Sequence, residues 1–281
     1  MNALNLGFGG GSGTSADRVT CFCDFCVKKG KELGLDPERA RNGFSEVSKY
    51  MQAVKTQRPV DGYFVTFFRL LLKHPDVLAW DNLWVDSRSQ FMSDIYTRIK
   101  SIKPNIPIGW HQWQNVSFNP FHRAEWDYNA VKGFSDFIRP CVYSNSGGGR
   151  MHAFSNTISK GIFGDMPAAY SNDVLYHLLN YNEAPYDQVT YNGFSPDYVM
   201  RETKRGVDNL VGTNVQVWPG VEIGSPLEAG TQPCTPEIAA AAVKAAFAGG
   251  AKGIILSRNY IEIEPENLTA AGNALKELGA S

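Results

Sequence analysis

Cys21, Cys23 and Cys26 form a C-x-C-x-x-C cluster at the start of an expected helix that runs to Leu33. Three thiolates at this spacing can hold three corners of a tetrahedral zinc site. The fourth ligand is not obvious, because Cys141 and Cys234 are far away in sequence. Buried thiols packing a helix end explain the cluster equally well. The other candidate chemistry is a carboxylate. Glu222 follows the short β-branched run NVQVW, which ends at Pro219-Gly220. That position suits a residue at a strand exit, and it also suits an exposed loop.

The run before Glu222 belongs to a larger pattern. Asn214 to Trp218 reads as a strand, TPEIAAAAVKAAFAGGA as a helix with Thr235 as N-cap, and KGIILS as a second strand. Strand, helix and strand at this spacing make a βαβ unit with parallel neighbouring strands. Chemistry in such folds sits beyond the carboxyl ends of the strands. Trp218 and Glu222 follow the first strand, and Arg258, Asn259 and Tyr260 follow the second.

Two earlier strands are expected, over 106–111 and 137–143. The first leaves through Trp110, His111, Gln112, Trp113, Gln114 and Asn115. The second leaves through the loop Ser144 to Arg150. The flat rings of Trp110, Trp113, Tyr143, Trp218 and Tyr260 suit the C–H faces of a sugar. His111, Asn145, Arg150 and Arg258 suit its hydroxyls. Two or three of these rings can equally be packing residues.

Helices are expected over 37–55, over 62–73, from a cap at Asp86 or Ser87 to Ile102, over 124–135, from Ser195 to Gly212, and from Glu264 onward. The order of elements is then βαβαβαβα after a helical first hundred residues. Gly7 to Gly13 matches neither phosphate-binding pattern and reads as a flexible loop.

Composition narrows the classes. Of 281 residues, 43% are hydrophobic and 20% charged, as in ordinary globular proteins. A formal net charge of −1 gives no reason to expect nucleic acid or an anionic membrane. No apolar run approaches the ~20 residues of a membrane helix. The first residues lack the pattern of a signal peptide, and 5 cysteines, an odd number, make no disulfide framework. A cytoplasmic location is expected.

TCFCDFC, HPDVLAW, GWHQ, RPCVYS and GAKGIILSRNYIEIEPENLTAAGNAL, in this order, resemble the hypothetical glycoside-hydrolase barrels. These are similar to family 42 β-galactosidases. The resemblance implies an α/β fold of the (β/α)8 TIM-barrel type. It places the cysteine cluster just after the fourth strand, so this chain would be an incomplete barrel holding strands five to eight. A single domain over 1–281 is expected, with a flexible loop over 1–20, a helical region over 21–105 and four βα units over 106–281. The resemblance further implies O-glycosyl hydrolysis with Glu222 as the nucleophile at the end of strand seven. It implies a structural zinc on Cys21, Cys23 and Cys26, with no cofactor for catalysis. The general acid/base glutamate of the family has no counterpart; Asp165 is the best spare acid, while Asp81 and Asp86 read as helix caps or solvated residues. The expected partner is a carbohydrate. The alternatives are a non-catalytic carbohydrate-binding domain and a half-barrel completed by a second copy or another chain.

Overall fold

The computed structural model describes residues 20–53, 56–224, 229–257 and 260–279, without the side chain of Tyr260. The loop expected over 1–20 lies outside the described residues except for Thr20, and so do Arg258 and Asn259.

The chain opens with α1 (Asp24–Glu32), α2 (Pro37–Gln52), α3 (Tyr63–Lys73) and α4 (Asp76–Ile102). β1 (Gly109–Gln112) follows, then the short helices α5 (Asn115–Phe118), α6 (Pro120–Glu125) and α7 (Tyr128–Val131), then β2 (Phe137–Pro140). Next come α8 (Ser144–Lys160), α9 (Ala168–Leu179), α10 (Val189–Asn192) and α11 (Pro196–Asn209). The described chain ends with β3 (Gln216–Val217), β4 (Gly220–Glu222), α12 (Pro236–Ala248), β5 (Ile255–Ser257) and α13 (Pro265–Glu277).

Four helices share one start signal. Asp36, Asn119, Ser195 and Thr235 each accept a backbone N–H from the first turn of the following helix, and each precedes a proline at the first helical position. The side chain satisfies a donor that the helix itself cannot use, and proline there gives up an N–H that would be unpaired.

The fold is α/β, and its sheets are small. β1, β2 and β3 pair in parallel in that order, with Ile138 opposite both Trp110 and Val217. β4 and β5 form a second parallel pair, with Glu222 opposite Ser257. A parallel bridge from Cys141 to Gly220 carries β2 onto β4. β3 and β4 are therefore two pieces of one line, interrupted at Pro219, which has no N–H for a ladder. The expected strands thus run parallel in chain order.

Three expectations are corrected. α4 begins at Asp76, so Asp81, Asp86 and Ser87 lie inside it and cap nothing. Ser87 Oγ instead donates to the carbonyl of Leu83 at 2.6 Å. Ser144 to Arg150 is the start of α8, not a loop. Its glycine run allows close packing: a Cβ on Gly148 would overlap the carbonyl oxygen of Val189, and one on Gly147 would stand 2.5 Å from the Phe194 ring. The helix expected over 124–135 is broken into the end of α6, α7 and a 3-10 turn, with Asp127 capping α7.

The chain divides into two compact units, Met1–Phe91 with Phe154–Ser171, and Met92–Ala153 with Asn172–Ser281. The described part of the first is helical, with Phe44, Phe67, Trp80, Phe154, Ile158 and Ile162 buried. The second holds the strands. One face of its sheet, through Ile138 and Val217, packs with Met92, Tyr128, Val131 and Leu210. Beside that core, buried Glu202 accepts from Arg123, Arg205 and Tyr181 at 2.5–2.7 Å. A buried carboxylate is tolerable only when paired in this way.

Candidate functional site

The first candidate lies in the first unit. The ligand atoms of Cys21, Cys23 and Cys26 lie within 4.8 Å of one another, so the group can hold a metal ion. Sulfurs around a tetrahedral zinc sit about 3.8 Å apart, given Zn–S bonds of about 2.3 Å. The intervening residue explains the convergence. Phe22 stacks on Trp80 with ring centroids 4.7 Å apart, and Trp80 Nε1–H donates to the Cys21 carbonyl at 3.3 Å. Gly30 leaves room for Trp80, since a Cβ there would stand 2.5 Å from the ring. Cys23 is the N-cap of α1. Hydrogen bonding from the Cys26 backbone, then from the Cys21 and Cys26 thiols, draws the Cys23 thiol below its ordinary range. Burial, then the hydrogen bonds of the other two thiols, pushes Cys26 up to about 12.

The second candidate lies on the other face of the sheet, in the second unit. Side chains alternate along a strand. Gly109, His111, Phe137, Arg139, Tyr143, Trp218, Gly220, Glu222, Ile255 and Ser257 therefore fall on one face by the observed register. The floor is a row across the strands. Phe137 stacks on Trp218 at 4.1 Å. A Cβ on Gly109 would overlap the Phe137 ring, and one on Gly253 would stand 3.3 Å from Trp218. Small, large, large and small residues thus fill this layer.

Arg139 occupies the level above. Its guanidinium donates to His111 Nδ1 at 2.6 Å, to Ser257 Oγ at 2.5 Å and to Tyr143 Oη at 3.3 Å. It lies over Gly220, where a Cβ would stand 2.8 Å from Nη2. Water is withheld from the His111 ring although the residue keeps exposed surface, and Arg139 faces it. Together these push its pKa down to about 4.

Glu222 lies at the end of β4 and is 1% exposed. It is not a loop residue. Its Oε2 accepts from the Ser146 N–H at 2.9 Å and from Ser146 Oγ at 3.1 Å, in the first turn of α8. Helix N-termini favour negative charge, so this contact offsets part of the cost of burying the carboxylate. The same charge, after burial, raises Cys234 to about 12.

The other residues named from sequence separate. Trp110 points to the opposite face, packs on the core cluster and donates to the Phe134 carbonyl at 2.7 Å, so it does not line the Glu222 face. Trp218 is on the right face, but its ring is enclosed between Phe137 and Gly253 and bonds Gln216 at 2.7 Å, so it is a floor residue. Asn145 is buried and donates to the Gln232 carbonyl at 3.1 Å, which ties down the chain beyond β4. Arg150 donates to Gln114 Oε1 at 2.7 Å and stands 6.0 Å from the Tyr143 ring centre. Trp113 is 71% exposed past β1. Arg258 and the Tyr260 side chain lie outside the described residues. Asp165, in the first unit, accepts from Arg58 at 2.8 Å. Sequence reasoning missed Arg139, Ser146 and Ser257. For Arg139 the signal was available, since FIRPCVY places it two residues from both Phe137 and Cys141 on an alternating strand.

No helix among the described residues is long and apolar enough to cross a membrane. No protein-family model, curated protein or solved structure matches the chain.

Proposed function

We propose that this chain is a glycoside hydrolase-like protein of the cytoplasm acting on O-glycosidic bonds, with Glu222 as its nucleophile. In this reading β1, β2, the β3–β4 line and β5 correspond to strands five to eight of a (β/α)8 barrel, and the face bearing Arg139 and Glu222 is the inner one. The observation that carries it is Glu222 itself. A carboxylate fixed at the end of a parallel strand, accepting two hydrogen bonds at a helix N-terminus, sits where such folds do chemistry. The carboxylate would attack the anomeric carbon as the leaving oxygen takes a proton from a second acid, which the described residues do not identify. Cys21, Cys23 and Cys26 would give three thiolates to a structural zinc ion, with no part in a chemical step.

The test uses aryl glycosides that release a chromophore. Glu222→Gln keeps the shape, loses the charge and is expected to abolish hydrolysis while leaving binding nearly intact. Full activity in that variant rules out Glu222 as nucleophile. A second reading, a non-catalytic carbohydrate-binding domain, is favoured by the burial of Glu222 and its hold on α8. Glycoside binding without turnover in the unmodified chain selects it, and turnover gained only with a second chain selects a half-barrel completed by a partner.

A further inference from the structure

Arg139 is the cation that the proposed reaction does not use. Its hydrogen-bond partners are a ring nitrogen and two hydroxyls, and no carboxylate among the described residues pairs with it. Its Nε–H is buried without a partner. The guanidinium is half-buried and carries its charge beside no carboxylate, and its Nε–H has lost water without gaining a hydrogen bond, a state that an arriving anion relieves. The surrounding groups offer the same polarity. Guanidinium only donates, so His111 Nδ1 must accept, and the neutral ring then carries its proton on Nε2. His111 Nε2–H, Tyr143 and Arg139 thus present donors on one face, and a ligand meeting them must bring acceptors. A second cation, Arg150, stands near the Tyr143 ring.

We infer that the Arg139, His111 and Tyr143 cluster receives the carboxylate of an acidic sugar, so that the preferred glycan carries a uronate unit. The inference rests on the carbohydrate reading above and names its substrate class. One Nη1–H of Arg139 remains beside the donors of His111 and Tyr143, and a guanidinium N–H gives a carboxylate a charge-assisted hydrogen bond. Glu222 does not hold that place: its Oε2 accepts from Ser146, and no hydrogen bond or ion pair joins it to Arg139. Trp113, two residues beyond His111, is exposed and adds a flat aromatic face at the exit of β1.

Calorimetric titration of the full chain with methyl glucuronide, methyl galacturonide, their neutral glucoside and galactoside, inorganic phosphate and acetate tests it. The uronide that fits is expected to bind about tenfold to a hundredfold tighter than its neutral partner, the worth of a charge-assisted bond. Arg139→Gln should remove that preference and leave any neutral-sugar binding in place. If Arg139→Gln does not fold, salt gives the same answer in the unmodified protein: rising ionic strength should weaken uronide binding and spare neutral binding. Neutral glycosides bound as tightly as uronides overturn this inference and leave the carbohydrate reading standing. Phosphate or acetate bound more tightly than either uronide overturns the assignment of a sugar acid. Failure to bind any glycoside, acidic or neutral, overturns both readings.

Discussion

The carboxylate of Glu222 and the first turn of α8 are joined through one residue, Ser146, which donates both its N–H and its hydroxyl to the same oxygen. The two residues are distant in sequence, and Glu222 is buried, so the contact couples the end of β4 to the start of a helix. Whatever else Glu222 does, it holds this junction.

Ser146→Ala removes one of the two donors. The expected loss of stability is about 1.5–3 kcal/mol, the usual value of a bond to a charged group. Combined with Glu222→Gln, the loss should fall short of the sum, with a coupling of about 0.5–3 kcal/mol. Urea unfolding of the four proteins measures this. Strict additivity means that the Ser146 hydroxyl and Glu222 do not interact in solution.

His111 sets a pH window. Its folded pKa is pushed to about 4, from an ordinary value near 6.5. Between these values the unfolded chain holds more protons at this site than the folded one. Stability from this site is therefore complete above about pH 6.5 and is lost as pH falls toward about 4. The loss is smaller than the full shift implies, because the residue keeps exposed surface. His111→Asn keeps an acceptor for Arg139 and removes the titration. Urea midpoints between about pH 5 and 6.5 should be flatter in the variant than in the parent. His152, whose pKa burial also lowers, is present in both and cancels. Equal slopes would show that His111 titrates as it does in the unfolded chain.

Much of the scaffold was legible because it rests on local signals. Asp36, Ser195 and Thr235 cap helices beside prolines, and each start is visible in a few letters. The parallel order of strands followed from the alternation of short apolar runs with helices. The site was less legible because it depends on which face each residue takes. Trp110 and His111 are neighbours in sequence and point to opposite faces, so their proximity to a strand exit could not make both rim residues. Ser144 to Arg150 carries three glycines, which locally argue for a loop. In the helix the backbone of Val189 and Gly193 lies against Gly148, and only a residue without a Cβ admits that approach. Arg139 was overlooked because its partners His111, Tyr143 and Ser257 come from three separated stretches.

The cysteine cluster predicts a metal content. Purified protein should carry about one equivalent of zinc, and its three clustered thiols should resist alkylation until a chelator removes it. Cys23→Ser should lower both zinc content and thermal stability, because a ligand bound only to the folded state stabilises it by mass action. Zinc below about a tenth of an equivalent, with all three thiols freely alkylated, would leave the Phe22 and Trp80 packing as the sole reason for the cluster.

Two glycines in helices should respond to alanine with opposite signs. Both gain helix propensity, worth about 0.5–1 kcal/mol per replacement. In α13 the new Cβ of Gly272 meets nothing within 4 Å, so Gly272→Ala should stabilise by about that amount. In α8 the new Cβ of Gly148 overlaps the Val189 carbonyl and stands 2.8 Å from Gly193 Cα, and backbone cannot swing aside as a side chain can. Overpacking of this kind costs about 1–3 kcal/mol, which outweighs the propensity gain. Gly148→Ala should therefore destabilise, and because it pushes on the start of α8 it should also disturb the Ser146 to Glu222 contact. Urea midpoints give the signs. If Gly148→Ala proves as stabilising as Gly272→Ala, α8 does not begin at Ser144 in solution, and the glycine run is a loop after all.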